Sequence, residues 1–195
     1  MRGWHRFGAG VLGVFLLLHL GNHLLLFVGF EAHQAVMHSL RQLYRWPPLG
    51  AVLLLAVCTQ LISGVMLAWR SRRGSLPALR WQRWSGLALL LFLLIHVSAV
   101  LLGRRAGLDT DVHFAAAGLH HYPAWLFFVP YYTLAVGALG LHLGARLARR
   151  WPQQAGRCLW GGAMLGLLLG ASWVMAMAGW LYPVAIPAVY HAAFR

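Results

Sequence analysis

Lysine is absent from this chain, and only Glu31, Asp109 and Asp111 are acidic. Without a lysine amine there is no retinal Schiff base and no pyridoxal-phosphate aldimine. Three carboxylates are too few for carboxylate-bridged di-iron or magnesium chemistry. The two cysteines, Cys58 and Cys158, both fall in apolar stretches, so no disulfide framework is implied. Charge itself is scarce. Of 195 residues 10% are charged and 61% hydrophobic, where soluble domains run about 25% and about 45–50%. So few charges cannot clothe a soluble globule, and so much apolar residue excludes disorder. An integral membrane protein is expected.

All sixteen basic residues are arginines, and the formal net charge is +13. They cluster between apolar runs, the pattern that orients membrane proteins, so no nucleic-acid partner is expected. A transmembrane helix needs about 20 apolar residues. Five charge-free stretches qualify: 7–30, 47–69, 85–103, 124–145 and 158–182. The first is too long for a signal peptide and carries two histidines. Arg2, Arg6, Arg70, Arg72, Arg73, Arg80, Arg83, Arg146, Arg149, Arg150 and Arg157 share one side. Arg41, Arg45, Arg104, Arg105, Arg195 and all three acids share the other. The positive-inside rule then predicts a cytoplasmic N-terminus and an external C-terminus. The expected fold is all-α: a single domain over 1–195, a polytopic five-transmembrane-helix bundle in the bacterial inner membrane.

Between the first two spans, residues 31–46 read as an amphipathic helix at the interface. The loop over 107–123 carries Asp109, Asp111, His113, His120 and His121, and tail 183–195 is expected to fold back along the outer surface. Trp81, Trp84, Trp125, Trp151, Trp160 and Trp180 sit at span ends as an aromatic belt. Gly162, Gly166 and Gly170 recur at four-residue spacing, the small face on which helices pack closely in lipid. Gly137, Gly140 and Gly144 around His142 would admit either a helix or a flat macrocycle.

Four histidines lie inside spans: His19 and His23 in the first, His96 in the third and His142 in the fourth. Ionisable groups in lipid are costly and usually functional. At 1.5 Å per residue, His19 lies near mid-membrane, with His23 about 7 Å and His96 about 4 Å outward; His142 lies about 11 Å inward. The second span offers no histidine; Met66 is its deepest inward sulfur, about 12 Å from the middle. Two histidines at matching depth suit the axial ligands of a b-type haem, with arginines available for its propionates. The H-x-x-x-H spacing of His19 and His23 equally suits a copper or zinc clip.

The run FLLLHLGNHLLLF, the five-span layout, and His96 and His142 resemble the single-chain cytochrome b anchor of succinate dehydrogenase and fumarate reductase. That resemblance implies two haems, each held by histidines from two of the first four spans. His19 then matches the outer ligand on the first span and His96 its partner, while His142 matches the fourth-span ligand of the inner haem. The second-span histidine of that pattern is missing here, so the resemblance implies one haem b, or two if Met66 stands in. It further implies electron transfer between the quinone pool and a redox partner subunit on the cytoplasmic side. The chain would be a respiratory electron-transfer subunit rather than a complete enzyme.

Quinol oxidation releases protons, and Glu31 or His23 is the expected acceptor in a quinone pocket at the outer ends of the first and third spans. Two other readings stand beside this one: a non-redox, histidine-rich membrane anchor or carrier, and a histidine-ligated copper or zinc protein. The orientation has a direct test. In otherwise cysteine-free protein, an impermeant thiol reagent applied outside should label Thr110→Cys and spare Ser75→Cys. The opposite labelling would invert the topology.

Overall fold

The computed structural model describes residues 2–71 and 76–192. Arg72, Arg73 and Arg195, counted in the charge asymmetry above, lie outside the described residues, as do position 75 and the last residues of the tail. The described chain is helical, with no strand. Eight α-helices follow in order: α1 (Arg2–Leu24), α2 (Phe30–Arg45), α3 (Pro47–Arg70), α4 (Pro77–Arg105), α5 (Val112–Ala117), α6 (Trp125–Arg150), α7 (Ala155–Met177) and α8 (Ala188–His191). Five of the helical segments are long and apolar enough to cross a membrane. Their outward surfaces are what lipid requires: Phe7, Leu17 and Leu102 are all at least 65% exposed.

Local sequence accounts for the breaks. The first span runs Gly3–Phe27 rather than 7–30: it begins earlier, and it ends earlier because the helix tightens into a 3-10 turn at Leu25–Phe27 and stops at Gly29. Gly29 has φ 154, a backbone region that residues with a Cβ avoid. Proline opens both α3 and α4, where its missing N–H would have no helical partner in any case. The third span extends to 77–105 rather than 85–103, because Arg80 and Arg83 ride on the helix instead of ending it. Asp111 caps α5 by accepting from the backbone N–H groups of His113 and Phe114. The last span ends at Met177, short of residue 182, where Gly179 turns the chain at φ 79.

The most extensive helix pair is α6 with α7. Gly137, Gly140 and Gly144 face Gly162, Gly166 and Gly170, and the two backbones touch. The glycines around His142 therefore admit a helix, α7, and not a macrocycle. Beyond this pair, α4 packs on α6 and α1 on α3. A core at the α2 end gathers Leu26, Val112, Ala116, Leu119, Trp173, Val174, Ala176 and Met177. A smaller one, Ala145, Ala148 and Leu159, closes the opposite end.

A Cβ placed on Gly140 would collide with the Gly162 carbonyl. Gly140→Val should therefore destabilise the bundle by about 1–3 kcal/mol. Gly161, with nothing within 4 Å of a Cβ, should accept alanine without loss. Thermal unfolding of both variants in one detergent tests the seam, and equal midpoints would refute it.

Candidate functional site

α1, α2, α4 and α7 bring polar rings together beneath α2. The His19 ring lies 6.4 Å from that of His96 on α4 and 4.9 Å from that of His23, one turn along α1. His23 in turn lies 5.0 Å from His33 on α2 and 5.2 Å from Trp173 on α7. Phe15 stacks on His19 at 5.3 Å, and Phe92 on His96 at 5.1 Å. Each phenyl sits four residues before its histidine, the spacing that aligns side chains along one helix face. The two imidazoles are thus held in plane by their own helices. Among the described residues neither His19 nor His96 makes a hydrogen bond within the chain, so their ring nitrogens are uncommitted.

The His19–His96 spacing can be tested against a bound haem. A haem can be held by imidazole nitrogens of two histidines on facing helices. The observed 6.4 Å fits that arrangement. A second observation concerns unpaired polar atoms. Both amide atoms of Asn22, Nδ1 of His23, both ring nitrogens of His33 and Nε1 of Trp173 are buried without a hydrogen-bond partner. The Tyr44 hydroxyl, Gln34 Oε1 and Arg41 Nε share that condition along α2. Each unpaired buried group costs about 1–3 kcal/mol. So many in one region set the α2 end apart from the rest of the bundle.

α2 matches its expected range but turns an unexpected face inward. The residues it buries are His33 and Arg41, not an apolar stripe. Asp111 fastens it there. Its carboxylate accepts from Gln34 Nε2 at 2.7 Å, from His113 Nδ1 at 3.1 Å and from the Tyr190 hydroxyl at 3.2 Å. One carboxylate thereby joins α2, α5 and α8, and the tail folds back over this end of the bundle, with Tyr190 buried. Burial would raise the Asp111 pKa, but these hydrogen bonds and that from the Phe114 N–H hold it below the usual carboxylate value. At His33 burial dominates, with Asp111 opposing it, and the pKa falls to about 4.

The remaining expected residues lie apart from this group. His142 is near the opposite end of the bundle, against Gly86. Its Nδ1–H donates to the Gln82 carbonyl at 3.1 Å, with Ser85 Oγ at 3.2 Å. That bond leaves Nε2 as the unprotonated nitrogen. Met66 is half-buried on α3, whereas the residues that meet His142 come from α4. Glu31 does not end α1. It occupies the first turn of α2, beyond the Gly29 break, and is exposed. No expectation from the sequence singles out His33, Asn22, Tyr44 or Trp173 as site residues. The available signal was spacing: His33, Arg41 and Tyr44 recur on one face of a helical repeat.

Among the described residues no three histidine, cysteine, aspartate or glutamate side chains are grouped to hold a metal ion. The three-ligand set of a zinc or copper centre is thus not assembled around His19 and His23. No protein-family model matches the chain, and no curated protein or solved structure is significantly similar to it. Nothing in those comparisons links it to the succinate dehydrogenase anchors.

The neutral, buried His33 sets a pH dependence. Its folded pKa of about 4 lies below the ordinary 6.5. Its contribution is fully present above about pH 6.5 and is lost as pH falls toward about 4, where the unfolded chain binds the extra proton. The loss is at most about 3 kcal/mol. Unfolding in detergent should show a shallower acid slope for His33→Gln than for wild type across that window. Identical slopes would mean His33 is not buried as a neutral ring.

Proposed function

We propose that this protein is a membrane b-type cytochrome that carries electrons between the quinone pool and a partner protein. The observation that carries the reading is the His19–His96 pair, 6.4 Å apart and free of other hydrogen bonds. Haem b, when bound, would supply one-electron redox chemistry, and these two histidines would hold it. His19 and His96 hold the group, and Phe15 and Phe92 fix the imidazole planes and keep water from them. His19 is preferred to His23 as the α1 ligand because His23 is engaged with His33 and Trp173.

In this reading one haem is bound. His142 keeps an unprotonated Nε2, but the residues that meet it on α4, Gln82, Ser85 and Gly86, supply no second haem ligand. Protons released by quinol would be taken up at the α2 end. His23 keeps its role as acceptor and His33 joins it, since both present unpaired buried nitrogens. Glu31, exposed to solvent, serves as a later stop toward water rather than as the first acceptor. The partner subunit would dock at the arginine-rich end opposite α2, as in the succinate dehydrogenase and fumarate reductase anchors that the helix layout resembles.

A reduced-minus-oxidised visible spectrum of the purified protein tests this directly. Wild type should show a sharp b-type band, and His96→Ala and His19→Ala should lose it while still inserting into the membrane. His142→Ala should retain it. Unchanged haem content in His96→Ala, or copper or zinc without haem by elemental analysis, would sink the proposal.

A further inference from the structure

The arginines at the end of α2 and α4 are not balanced by the chain. Arg41 Nη1 and Arg45 Nη2 both donate to the same oxygen of Asp109, each at 2.6 Å. Arg104, at the end of α4, faces both of those guanidinium groups. Its own hydrogen bond goes to the Thr110 hydroxyl at 3.3 Å, not to a carboxylate. Three cations therefore share one anion. Among the described residues no other acid can help, because Asp111 is committed to Gln34, His113 and Tyr190, and Glu31 is about 15 Å away along α2. The C-termini of α2 and α4 offset the excess by about half a charge each. A net positive charge of about one remains, and Arg41, 9% exposed, keeps its Nε buried and unpaired.

Position and surroundings say what kind of anion fits. The cluster sits where the α4 span ends, at Arg105, which is the level of lipid head groups. Its open side is exposed: the side chains of Arg45 and Asp109 are 40% and 45% accessible. Leu101, one turn before Arg104 on the apolar α4 span, is 45% exposed beside it. A ligand combining an oxyanion with hydrocarbon matches both features. Guanidinium groups bind phosphate oxygens in pairs, as a lysine ammonium does not. We propose that Arg41, Arg45 and Arg104 form a site for the phosphate of an anionic phospholipid at this membrane surface. The site is independent of haem and quinone.

Arg45 and Arg104 are the accessible members, so the test leaves the buried Arg41–Asp109 pair intact. Phosphatidylglycerol and phosphatidylcholine would be titrated separately onto delipidated protein in detergent, with bound lipid counted by native mass spectrometry. Wild type should retain phosphatidylglycerol in preference to phosphatidylcholine. The double variant Arg45→Gln/Arg104→Gln should bind phosphatidylglycerol on the order of 10-fold more weakly. Arg104→Gln alone, which breaks no ion pair, should show a partial loss and guards against misfolding of the double variant. Equal retention of the two lipids, or unchanged binding in both variants, would overturn the proposal. Displacement of the lipid by millimolar inorganic phosphate would overturn it in favour of a free-anion site.

Discussion

Hydrocarbon offers no water to an unpaired polar group, and that constraint sorts the polar residues of this protein into two populations. Away from α2 they are matched within the chain. His5 pairs with Ser63 at 2.9 Å, Gln60 donates to the His5 carbonyl at 2.6 Å, and Ser85 and Ser172 return their protons to the preceding turn of their own helices. At His142, Nδ1 is matched in the same way, by the Gln82 carbonyl. Under α2 the opposite holds, with Asn22, His23, His33 and Trp173 turned inward unmatched. A bundle selected only for stability would fill that space with leucine. The contrast between the two ends supports a binding role at one of them.

The α6–α7 seam makes the asymmetry feasible. Because glycines let those two backbones touch, the pair is thin and rigid, and α4 packs on its α6 side. His96 is thereby placed on a fixed wall. α1 packs on α3 and reaches α7 through its last turn, so His19 and His23 face that wall from a separate helix pair. The polar chamber is the join between the two pairs, and α2 lies over it. Ligand sites in helical membrane proteins are commonly made this way, from side chains on facing helices.

Much of this architecture was legible in the sequence. Five apolar runs separated by arginine clusters announced five crossing helices, because length and charge are one-dimensional quantities. The matching depths of His19 and His96 were likewise arithmetic on helical rise. The ends of the helices were less readable. Arg80 and Arg83 looked like loop, yet at the polar boundary a helix tolerates charge on its surface. Gly29 divided the first run because a single backbone conformation, not hydrophobicity, ends α1. The burial of His33 and Arg41 was hidden for another reason. An amphipathic helix is ordinarily assumed to bury its apolar face, and only the tertiary partner, Asp111 on a distant loop, reverses that choice.

Asp111 also carries a consequence for how the molecule is made. The two residues it ties together, Gln34 and Tyr190, lie 77 and 79 positions from it along the chain. During synthesis α2 emerges long before either the carboxylate or the tail that completes the clasp. Until α4 has crossed and the loop after it has folded, α2 has no such anchor. Tyr190, in α8, completes the clasp only after α6 and α7 have been made. In a nascent chain, the order of the sequence itself separates the making of α2 from its fastening.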